Sequence, residues 1–70
     1  MIFDKNDFDR IMKSERLLFD AEMDLVNATQ KDDFDAVIDD LDAVEYQALS
    51  AILKIKELKA KLGVEKDEEN

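Results

Sequence analysis

From Phe34 to Leu62, apolar residues recur at Phe34, Val37, Ile38, Leu41, Val44, Ala48, Ile52, Ile55, Leu58 and Leu62. Steps of three and four residues, held over about eight turns, predict an α-helix. At roughly 100° per residue the stripe covers close to half the circumference, wider than the seam of a two-stranded coiled coil. One partner helix does not cover it. Upstream, Phe8, Ile11, Met12, Leu18, Phe19, Leu25 and Val26 give two apolar positions per turn at heptad spacing and predict a first helix over residues 4–28.

The residues around these stripes set the expected boundaries. Asp4 as N-cap puts Phe3 and Phe8 at the two positions of a hydrophobic staple. The weak helix formers from Asn27 to Asp32 predict a turn, with Asn27 suited to a left-handed conformation and Asp32 or Thr29 suited to cap the second helix. Gly63 is the expected stop, giving a second helix over 32–62 with Val64 folded back on Leu58 or Lys59. Glu65 to Asn70 has no apolar residue and is expected to be a disordered acidic tail. The fold class is therefore all-α, an antiparallel two-helix hairpin over residues 1–64 with no internal repeat. Closing it about residues 29–32 makes facing residue numbers add to about 61, which levels Glu15 with Glu45 and Ala48, and Glu22 with Leu41 and Ile38.

Size turns the wide stripe into a problem. A 70-residue chain buries only about 60% of its unfolded surface. Ordering roughly 55 residues asks for something over 3,000 Å² of apolar burial, more than a lone hairpin readily provides. With no Cys and no His there is no disulfide, thiolate site or imidazole ligation to help, so no cofactor is expected. Self-association is the remaining source of burial, as a four-helix bundle or an antiparallel coiled-coil dimer with Leu41, Ala48, Ile52 and Ile55 at the interface. An antiparallel crossing at Ile52 makes Glu45 face Lys59 of the second chain.

Charge narrows the partners. With 19 acids against 10 bases the formal charge is −9, which argues against direct binding of nucleic acid or an anionic membrane. No apolar run is long enough to cross a bilayer, and a cytoplasmic location is expected. The charge is also unevenly placed: residues 20–45 hold ten acids and one base, while 46–64 hold four bases and one acid. Along the second helix this matches the helix dipole, and it disfavours parallel self-pairing.

Glu15 and Glu22 interrupt the first stripe one heptad apart, and Glu45 edges the second. Such carboxylates specify register, or, in a bundle, hold a metal or a nucleotide's magnesium as ferritin-like proteins do with Glu on facing helices. Those metal sites also use Glu-x-x-His, and nucleotide sites use two Glu-x-x-Glu motifs as a pair; the chain has no His, and its single Glu-x-x-Glu, Glu65 to Glu68, has no second motif to pair with and stands apart from Glu15 and Glu22. No nucleophile–base set and no phosphate loop is present, so no catalysis is expected. Two surface features point to partners instead. Tyr46, Leu49 and Leu53 form a second apolar patch on the far side of the second helix. Asp35, Asp39 and Asp42, with Asp32, run down an outer face at helical steps, spaced much like backbone phosphates.

The sequence thus predicts a small acidic helical module for protein–protein interaction, itself a homo-oligomer. The alternative is an acidic decoy, a phage-type inhibitor seated in the basic groove of a nucleic-acid-binding protein.

Overall fold

A computed structural model describes residues 2–69; Met1 and Asn70, the first residue of the expected hairpin and the last of the expected tail, lie outside the described residues. The chain forms two helices packed against each other, α1 over Lys5–Ala28 and α2 over Phe34–Glu69. The hairpin is a rod of 56 × 16 × 13 Å with a radius of gyration of 16.2 Å, against about 11 Å for a globular domain of this length.

α1 begins as its cap chemistry dictates. Asp4 is the N-cap in extended geometry; its Oδ1 accepts from the Asp7 N–H at 2.9 Å, and Asp7 Oδ2 accepts from the Asp4 N–H at 3.1 Å. This reciprocal box satisfies two of the helix's orphan donors. The Phe3 and Phe8 rings meet edge to face with centroids 6.1 Å apart, closing the staple.

The turn departs from expectation. No residue among those described, Asn27 included, has a positive φ. α1 ends instead at Thr29 in right-handed geometry, with the Thr29 hydroxyl donating to the Val26 carbonyl at 2.6 Å. The cap of α2 is neither Asp32 nor Thr29 but Asp33, whose Oδ2 accepts from the Ala36 N–H at 3.2 Å. A short carboxylate one residue before the first helical position reaches that donor, whereas Asp32 stands a residue too early.

α2 also runs through Gly63 to Glu69. Glycine in a helix costs only about 1 kcal/mol relative to alanine, and a Lys61–Glu65 ion pair at 3.8 Å bridges its two sides. The expected tail, as far as Glu69, continues the rod.

The seam between the helices takes only part of the apolar stripe, Val44 and Leu58 among it, and is otherwise lined by small and polar residues. On α1 the buried residues are Asp7, Ser14, Ala21 and Ala28, spaced one heptad apart. On α2 the least exposed positions, including Val44, Gln47, Ala51, Lys54, Leu58 and Lys61, alternate by three and four. Small residues let the backbones approach, and Ser14 Oγ satisfies itself on the Arg10 carbonyl at 2.9 Å. The Asp7–Lys61 contact and the Arg10–Glu57 pair make facing residue numbers add to 67 or 68, a heptad from the expected sum of about 61. Glu15 is therefore level with Ile52 and Leu53, and Glu22 with Glu45 and Tyr46. The difference arises at the turn, because the first turns of α2 project beyond the end of α1 and leave Phe34 87% exposed.

Candidate functional site

With Asp7, Ser14, Ala21 and Ala28 turned into the seam, helical geometry puts the two broad sides of the rod at right angles to it. One side is apolar. Ile11, Leu18, Glu15 and Ser14 of α1 and Ile55 and Leu58 of α2 line a single open groove of about 290 Å³. Leu41, Ala48 and Ile52 continue its α2 wall at three- and four-residue steps, and Glu45 and Lys59 share the Ile52 row. Leu41, Ile52 and Ile55 remain 40–44% exposed. The expected interface residues thus lie on one side of the hairpin, uncovered within the single chain.

The opposite side is polar. Asn6, Asp9, Arg10 and Lys13 of α1 and Lys54 and Glu57 of α2 line its recess. Arg10 pairs with Glu57 at 3.7 Å, and Lys13 with Asp9 at 2.9 Å. The hairpin is a two-faced slab, apolar above and charged below.

The outer edge of α2 carries the remaining candidates. Tyr46, Leu49 and Leu53 are 73%, 57% and 59% exposed, and Asp35, Asp39 and Asp42 precede them on the same stripe, also exposed. One helical edge therefore reads acidic, then apolar. On the outer side of α1, Met12 and Phe19 frame a second shallow groove with Glu15 and Arg16.

The carboxylates considered for a metal are exposed, and among the described residues no group of three or more His, Cys, Asp or Glu stands ready to hold a metal ion. No helix among them is long and apolar enough to cross a membrane.

Sequence reasoning missed the polar clasp at the open end. Lys61 Nζ donates to Asp7 Oδ1 at 2.6 Å and to Asp4 Oδ2 at 2.9 Å. Asp7 is only 2% exposed, and its carboxylate is satisfied by the Asp4 N–H and Lys61 together. Hydrogen bonds to Asp7 first and Asp4 second hold Lys61 protonated well above the ordinary lysine range. The bond from Lys61, helped by the Asp7 N–H, holds Asp4 below the usual carboxylate range. The signal for this clasp was the heptad series of small and polar residues at 7, 14, 21 and 28, which reads as the unbroken line beside a fragmented apolar one.

At the other end Lys31 reaches from the turn to Asp40 of α2 at 2.7 Å. Compared with protein-family models, curated proteins and solved structures, the chain has no significant match among any of them.

Proposed function

We propose that the protein is a non-catalytic protein–protein interaction module that works as a homo-oligomer, its apolar side covered by another copy and the outer edge of α2 left for a partner. The supporting observation is the segregation of surface. Apart from Leu58 and Val44 the seam consumes small and polar residues, while most large apolar residues remain outside, on the groove side and on both outer edges. The accessible surface is 5724 Å². A compact monomer of 8.1 kDa exposes about 4,500 Å². The excess of about 1,200 Å² per chain is the amount a permanent homodimer buries.

On this reading Tyr46 anchors the partner, with Leu49 and Leu53 beside it, and Asp35, Asp39 and Asp42 draw a partner that has basic residues next to apolar ones. Thermal melting tests the self-association: the midpoint rises with protein concentration for an oligomer and stays fixed for a folded monomer. A fixed midpoint across a hundredfold range would remove the reading.

The acidic decoy is the second reading. It is favoured by one observation: Asp35, Asp39 and Asp42 all stay exposed along one rigid edge, where they can follow a basic groove.

A further inference from the structure

Resting on that proposed self-association, we infer the arrangement of the second copy: it covers the groove side with its turn at the opposite end of the rod, about a two-fold axis crossing the hairpin at the level of Ile52. Two slabs meeting by the same side have a two-fold axis in the contact plane, either along the rod or across it. An axis along the rod places both turns at one end and stacks α1 on α2 of the other copy. An axis across it opposes the turns and stacks α2 on α2 and α1 on α1, antiparallel in both cases.

Charge decides between them. The turn half, residues 20–45, holds ten acids and one base, and the two stretches of chain in the open half, 1–19 and 46–69, hold nine bases and nine acids. Turns at one end would stack two strongly negative halves. On the groove side the conflict is local as well: the register levels Glu22 with Glu45, so an axis along the rod sets Glu22 of one copy over Glu45 of the other. Opposed turns place each negative half over the other copy's neutral one, and bring Glu45 within reach of the other copy's Lys59, since these positions lie seven residues either side of Ile52.

Length agrees with this centre. α2 spans Phe34–Glu69 and α1 spans Lys5–Ala28, so the middle of α2 falls between Ala51 and Ile52, and the middle of α1, between Arg16 and Leu17, is level with it in the observed register. One axis therefore overlaps both helices along their whole length, with no end left uncovered.

The chain has no cysteine, so single thiols can be placed freely. Under mild oxidation Ile52→Cys should give a disulfide-linked dimer, while an equimolar mixture of Glu15→Cys and Ile52→Cys should yield no mixed dimer, because only an axis along the rod brings those two positions together. A dimer in solution that links through the Glu15→Cys and Ile52→Cys mixture, or through neither, overturns this arrangement and leaves the self-association standing. A monomer overturns both.

If a thiol variant does not fold, charge reversal decides. Glu45→Lys alone and Lys59→Glu alone should each weaken dimerisation about fivefold, and the double variant should restore it to within about twofold. Absence of restoration sinks the arrangement.

Discussion

Lys61 on α2 and Asp7 on α1, 54 positions apart in sequence, are joined by a 2.6 Å hydrogen bond that fixes the register of the hairpin at its open end. Asp7 is buried there, capping its own helix and receiving the lysine at once. Removal of this carboxylate breaks a capping box and strands the seam. Asp7→Ala should cost about 1–3 kcal/mol in urea unfolding. Lys61→Met should be less damaging in the Asp7→Ala background than in the native chain. Equal costs in the two backgrounds would show that the pair is not coupled.

The same clasp sets a pH window. Asp4 has its pKa lowered by folding, so its contribution is present above the unfolded aspartate value of about 3.9 and is lost as pH falls through the folded value. Lys61 has its pKa raised, so its contribution is full below the unfolded lysine value of about 10.4 and is lost as pH rises through the folded one. The destabilisation caused by Lys61→Met should therefore be constant from about pH 5 to about pH 9 and shrink in acid and in strong alkali. Unfolding midpoints of both proteins across that range check it, and a penalty independent of pH at both ends would contradict it.

The start of α1 was legible in the sequence because caps and staples are local: Asp4, Asp7, Phe3 and Phe8 lie within six residues and need no tertiary information. The two helices were legible from periodicity for the same reason. The seam was not. Each helix has a large apolar stripe and a narrower line of small or polar residues, and periodicity marks the first strongly whichever surface faces inward. The choice is made by backbone approach at Ala21, Ala28 and Ala51 and by the Asp7–Lys61 contact, both of which depend on the partner helix. The register followed the seam, and with it the levels of Glu15 and Glu22. Interface candidates such as Leu41, Ile52 and Ile55 came out together on one side because they share one helix, whose geometry the sequence does specify.

Gly63 separates local preference from context. It sits inside α2 without a positive φ, and a Cβ built there meets nothing within 4 Å. Gly63→Ala should raise stability by about 0.5–1 kcal/mol, through helix propensity and a smaller unfolded-state entropy. Calorimetry or urea unfolding measures this. A loss would mean that the helix does not run through this position.

The outer edge of α2 discriminates the two functional readings. A basic amphipathic helical peptide serves as the probe, titrated by fluorescence anisotropy at low and high salt. For the interaction module, Tyr46→Ser with Leu53→Ser should weaken binding about tenfold or more. Asn in place of Asp35, Asp39 and Asp42 should then have the smaller effect. The decoy predicts the reverse order and a steep loss of affinity with salt.

The central claim is that the uncovered apolar side of this hairpin is an interface between copies. Sedimentation equilibrium of the purified chain at micromolar concentration measures that directly. A mass of twice the chain or more, falling to the monomer mass when Ile52 and Ile55 are replaced by Asp, is the predicted result. A native chain that sediments as a folded monomer contradicts it.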